Sequence, residues 1–304
     1  MPSSWLSILA MLSISTAMAR DAVSDADGGW PEGSVIAESS TSPDRRYGVL
    51  LPTREQAGED EDSIRNVLVN LQSHARLGVI QGAHYFPGFN HRGLRVEWAE
   101  DSSLCVVTYE ARYGFDTITV IEPRGATCAQ GDIGRHIQKS FDAVIARQSR
   151  GSSGGCGSVF FRFAPRGKVV VRATDQTNPK AFEDQPTWCA LFQGTFDFTA
   201  KKWTRSDARK IDLEEKEALD TAFIGTLAEN TTFASDADRL KRYDDMLNEV
   251  YRAVRLLLPG GRFAAVKKTQ IAWLKQLDAI KSDAGKCKFM EARIEALREF
   301  VWDR

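Results

Sequence analysis

The feature that most constrains this chain is a change of hydrophobic period near Asp212. Before it, apolar residues come in short runs bounded by Gly, Pro, Asp and Ser. After it, they recur at alternating steps of three and four. A period of two lays side chains on alternate faces of a strand, and a period of about 3.6 gathers them on one helix stripe. One architecture cannot serve both patterns, so the chain reads as α+β: a β-rich domain over 43–211, then an all-α domain over 212–304.

Within the β-rich part, strands are expected at 47–51, 66–71, 77–80, 94–98, 104–109, 117–121, 159–163, 169–173 and 188–198. Alternation is plain in Leu94-Arg95-Val96-Glu97-Trp98. An Asp or Pro turn precedes an apolar strand three times: at Ser42-Pro43-Asp44, at Glu100-Asp101-Ser102, and at Pro165-Arg166-Gly167 before Val169-Val170-Val171. This resembles the turn-plus-strand unit of a β-propeller blade. Three unevenly spaced units are too few for a closed propeller. A propeller fragment or an open antiparallel sheet is expected instead. One helix interrupts it at 132–148, where Ile133, Ile137, Phe141, Val144 and Ile145 keep helical spacing.

The later part reads as an antiparallel helical bundle. Its first helix spans 212–229, with Asp212 and Glu215 as a capping pair. A second spans 236–258 on the stripe Leu240, Tyr243, Leu247, Val250, Val254 and Leu257, and Pro259-Gly260-Gly261 stops it. A third spans 262–282. A fourth carries Met290, Ile294, Leu297 and Val301.

The start of the chain points to export. An apolar run from Trp5 to Ile14 leads to Ala17-Met18-Ala19, a small-residue cleavage pattern, so 1–19 reads as a signal peptide. A flexible leader is expected over 20–42. No other run is long and apolar enough to span a bilayer. The expected location is periplasmic or secreted. A formal net charge of -1 gives no pull toward nucleic acid.

Export allows disulfides. Four of the five cysteines lie in the β-rich part, and the favoured pairing among three is Cys105 with Cys128 and Cys156 with Cys189. Cys287 is left as a free thiol or an intermolecular link.

The last seventy or so residues resemble the LprI-type lysozyme-inhibitor family. Asp244-Asp245-Met246-Leu247-Asn248-Glu249-Val250-Tyr251 is similar to its D-x-x-LN-x-x-Y helix. Lys267-Lys268-Thr269-Gln270-Ile271-Ala272-Trp273-Leu274 is similar to its AQ-x-AWL helix. Cys287, Arg293 and Leu297 match its closing C…R…L helix. The family's RD-x-x-C segment is altered here, with Leu277 for Arg and Lys281 for Cys. The resemblance implies a helical binding module, with a lysozyme as the partner. Asn248, Tyr251, Gln270 and Trp273 are its candidate binding residues. The bland alternative makes Asn248, Tyr251 and Gln270 a hydrogen-bonded cluster that registers the helices, with Trp273 in the core.

A second candidate surface is the aromatic loop 83–93, with Tyr85, Phe86 and Phe89. Here too the bland reading is that the aromatics cap the sheet. No G-x-S-x-G elbow, phosphate loop or H-E-x-x-H helix occurs, and no cofactor or metal is implied. These observations favour an exported envelope protein that binds a protein partner and is not an enzyme. The alternative is an envelope enzyme with chemistry near His84 and His91, or at Cys156.

Overall fold

The computed structural model describes residues 30, 32–57, 64–149, 157–178, 186–224 and 233–302. Twelve strands lie among them, all before residue 212, in three four-stranded antiparallel sheets. The first sheet holds β1 (Ser34–Ile36), β2 (Tyr47–Pro52), β3 (Val67–Asn70) and β4 (Arg76–Val79). The second holds β5 (Gly93–Trp98), β6 (Cys105–Ala111), β7 (Gly114–Arg124) and β8 (Thr127–Asp132). The third holds β9 (Ser158–Ala164), β10 (Lys168–Gln176), β11 (Cys189–Asp197) and β12 (Lys202–Ile211). In each sheet the strands pair in chain order, as hairpins dictate. The open-sheet expectation is corrected to three separate sheets.

The helices are α1 (Arg54–Ala57), α2 (Gly134–Ser149), α3 (Leu213–Ile224), α4 (Asp236–Leu257), α5 (Gly260–Ala279) and α6 (Asp283–Trp302). The expected leader over 20–42 is corrected too, because β1 and a 3-10 turn at Glu38–Ser40 lie inside it. Ser34, Val35 and Ile36 pair with Pro52, Leu51 and Leu50, so the partner strand orders a segment that carries little apolar signal of its own. The expected signal peptide, 1–19, lies outside the described residues. No described helix is long and apolar enough to cross a membrane.

Alternation along the strands sorts the apolar side chains into stacked cores. On β6, Cys105, Val107 and Tyr109 face the first sheet, whereas Val106 faces the third. The core between the second and third sheets is wedged by α2, whose Ile137, Phe141 and Ile145 are fully buried, together with Ile133 just before it. Beyond the third sheet, Phe160, Leu191 and Ile211 share one core with Phe223, Leu247 and Trp302 of the helices. The turn motifs join neighbouring sheets: Ser42 Oγ donates to Asp44 Oδ1 at 2.7 Å, and the Asp44 N–H donates to Ser102 Oγ at 3.1 Å.

Candidate functional site

A cleft of about 490 Å³ opens between the second and third sheets. One wall is the β6–β7 hairpin, Ala111 to Asp116. The other is Asp175 of the third sheet, with Gly157 just before β9. The loop 89–92 closes one end, and Gln138 of α2 reaches its floor. The cleft exists because α2 props the two sheets apart while the hairpin of the second sheet overhangs the gap. Below it, Arg95 ties the sheets together. Its guanidinium donates to Val159 O of β9 at 2.8 Å, to Glu97 at 2.6 Å and to Glu110 at 3.1 Å. Burial pushes the Glu97 carboxyl up; Arg95 opposes this and Glu110 adds to it.

The cleft is aromatic and charged. Tyr113 is 42% exposed at the hairpin tip, and the Arg112 guanidinium lies 5.1 Å above its ring. Arg92 pairs with Asp116 and lies 5.5 Å from the centre of the Tyr109 ring. Such a lining offers apolar contact together with cationic hydrogen-bond donors, the mixture found at recognition sites.

The loop 83–93 divides between structural and cleft roles. Tyr85 is 3% exposed and belongs to the core of the first two sheets. Asn66 holds it from both sides: its Nδ2 donates to Tyr85 O at 2.6 Å and its Oδ1 accepts from Tyr85 N at 2.8 Å. Phe86 stacks on Phe89 at 4.6 Å, and Phe89 lines the cleft. His84 and His91 part company. His84 Nδ1 lies 3.1 Å from Ile64 O and its ring stands edge-on to Tyr109, whereas His91 lines the cleft. Among the described residues no three His, Cys, Asp or Glu side chains gather as a metal ion would need.

The pairing of Cys105 with Cys128 is corrected. Cys105 on β6 stands opposite Ile121, and Cys128 on β8 stands opposite Pro123, so β7 lies between them. Two strand spacings are about 10 Å, beyond the roughly 7 Å limit for a disulfide. Both are free thiols, as is Cys189. Burial drives the Cys105 thiol far up, with Cys128 adding to it, and burial raises Cys189 to about 11 against the pull of Lys216. Cys156 lies outside the described residues. Cys287 is a free thiol only 2% exposed, and burial pushes it up against the pull of Arg239.

The expected cluster of Asn248, Tyr251 and Gln270 does not form. Gln270 is buried, and its Oε1 accepts from Arg293 Nε at 2.7 Å; Arg293 also donates to Thr269 Oγ1 at 3.0 Å. Asn248 is exposed and reaches Asp244 along its own helix. Tyr251 packs on Phe263 at 5.4 Å. Trp273 is 8% exposed and stacks flat on Phe289 at 5.2 Å. The long arginine of α6 outreaches Asn248 for the buried amide because its fork can bridge two acceptors on α5. The sequence reading missed Arg112, Tyr113, Phe115, Gln138 and Asp175 as cleft residues. The available signal was Arg112-Tyr113-Gly114-Phe115, an aromatic pair across a glycine at a turn between two strands.

No protein-family model matches the chain. No curated protein matches it either. Among solved structures, a likeness is found to the crystal structure of the tricorn protease, at a TM-score of 0.26 and 11% identity, over 86% of this chain and 29% of that one. The chain spans less than a third of that protein's length, and a likeness this low supports no argument about fold or activity.

Proposed function

We propose that the chain is an exported binding protein of the cell envelope that recognises a protein partner at the cleft between its second and third sheets. In this reading the three sheets form one β-rich unit, consecutive blades of an incomplete propeller, and the helices form an antiparallel bundle related to the LprI-type inhibitors. The observation that carries it is the hairpin tip, where Tyr113 and Arg112 stand exposed beside Phe89 and Phe115 at the rim of a cleft. Aromatic and arginine side chains around a desolvated pocket supply most binding energy in protein interfaces. An enzyme acting through His84, His91 or Cys156 has no comparable observation in its favour.

Lysozyme is the first partner to test. The purified chain is titrated into a lysozyme lysis assay beside the Tyr113→Ala and Phe89→Ala variants. The expected result is inhibition by the parent chain and inhibition roughly ten-fold weaker in the variants. Undiminished lysis at large excess of protein would remove lysozyme from the reading. Inhibition untouched by the variants would move the contact away from the cleft.

A further inference from the structure

Of the four helices after residue 212, α5 is the least covered. Its buried stripe is Val266, Gln270, Trp273 and Leu277. Phe263 leans on Tyr251 of α4 and Trp273 stacks on Phe289 of α6, so one side of α5 is spent on these two neighbours. Fifteen of its twenty residues are exposed, which leaves a whole face without protein against it.

That face is apolar and basic at once. At 3.6 residues per turn, Lys268, Ile271 and Lys275 fall opposite the buried stripe, with Lys267 and Leu274 on one flank. Ile271 is 51% exposed and Leu274 is 43% exposed. Among the described residues, α4 and α6 expose no large apolar side chain.

The lysines do not serve the helix itself. On α4, Lys241 pairs with Asp245 four residues on, and on α6, Arg298 pairs with Glu295. Lys267 and Lys268 have no acid three or four residues away in either direction. Lys275 has Asp278, the one acid of α5. Arg262 stands in the first turn, where the helix dipole favours an acid. Four bases (Arg262, Lys267, Lys268 and Lys275) against one acid give α5 a net charge of +3, in a chain of net charge -1.

One exposed Ile or Leu is ordinary on a protein surface. Two within a turn, bordered by three lysines, select their partner. A second copy of this chain would set lysine against lysine, and a neutral apolar surface would leave the ammonium groups without counter-charge. An anionic surface with hydrocarbon beneath it meets both demands. We infer that α5 lies on a lipid bilayer with anionic headgroups, where Ile271 and Leu274 enter the boundary between headgroups and acyl chains. Lys267, Lys268 and Lys275 lay their apolar stems beside them and carry their charge up to the phosphates. The contact is peripheral, since the opposite side of α5 is held by the protein and no described helix is long and apolar enough to cross a membrane. The inference is independent of the cleft.

The test sediments the full chain with vesicles of phosphatidylcholine alone and with vesicles of phosphatidylcholine mixed with phosphatidylglycerol. Binding is expected to the mixed vesicles only, weakening as salt rises. The variant Ile271→Ser with Leu274→Ser should bind about ten-fold more weakly, and so should Lys267→Gln with Lys268→Gln and Lys275→Gln. Both sets change exposed residues, so both should melt as the parent does. Two controls on other exposed places, Leu213→Ser and the set Arg166→Gln, Lys202→Gln and Arg205→Gln, should bind as the parent does. Tyr113→Ala should also bind normally, which separates a failure here from a failure of the cleft. Equal binding to both kinds of vesicle, equal loss in variants and controls, or full binding by the apolar variant overturns the inference. So does absence of binding to the mixed vesicles, the result expected if the face serves an acidic protein instead.

Discussion

The two faces of the third sheet are built on different principles. The inner face, toward α2, is mainly apolar: Val169, Val171, Ala173, Ala190, Phe192 and Phe196 are all buried. The outer face mixes Phe160 and Leu191 with Arg162, Arg172, Thr174 and Gln193. Apolar burial is strong and undirected, so the inner face accepts α2 wherever volumes fit. The outer face has directed bonds. Arg172, 1% exposed, donates to Val301 O and Trp302 O at the last turn of α6. Arg298 of α6, 4% exposed, donates to Ala222 O at 2.9 Å and Phe223 O at 3.3 Å near the end of α3. The final carbonyls of a helix lack intrahelical partners and form the negative end of its dipole, so a guanidinium satisfies both needs. On this face apolar contact supplies adhesion, and two arginines choose the place.

Substitutions sharpen the contrast. The largest loss is expected from Phe192→Ala on the inner face, about 3–5 kcal/mol by chemical denaturation, because the site is sealed between β11 and α2. A cost below 1 kcal/mol would mean that the inner face is not close-packed. Arg172→Ala should follow at about 3 kcal/mol, since it strands helix carbonyls in a buried place. Arg172→Met should cost less by keeping the apolar stem, yet amide exchange at the end of α6 should quicken in both variants. Arg162→Ala should cost less than about 1 kcal/mol, as its partner Glu299 is 59% exposed and the pair is screened by water. Were Arg172→Ala as mild as Arg162→Ala, the outer face would be no more specific than the inner one.

Much of the local structure is legible in the residues. The strand expected at 94–98 forms as Gly93–Trp98, and the helix expected at 132–148 forms as Gly134–Ser149. The helix expected over 236–258 forms as Asp236–Leu257, with Ser235 Oγ accepting the Asp238 N–H. Three strands escaped, one of them the three-residue Ser34–Ile36. Thr127–Asp132 and Lys202–Ile211 are polar strands at sheet edges, where one side meets solvent and an apolar run is not needed. The short helix Arg54–Ala57 likewise lies between the strands expected at 47–51 and 66–71, where no element is expected. The cleft was half legible. Phe89 and His91 belong to a loop already marked by its aromatics, but Gln138 and Asp175 join them only through folding. Gln270 is buried, and its partner Arg293 escapes the sequence because it lies on a helix whose rotation the sequence does not state.

What the sequence determined by itself is the local grammar: where the period changes, where turns fall, which helix has a cap. These depend on neighbours a few residues apart, through backbone sterics and the alternation of side chains. The tertiary structure alone decided which strands share a sheet, why Cys105 and Cys128 stand too far apart to bond, and which carbonyls the buried arginines find. Those outcomes depend on register between segments far apart in the chain, and register is set by the packing of whole faces.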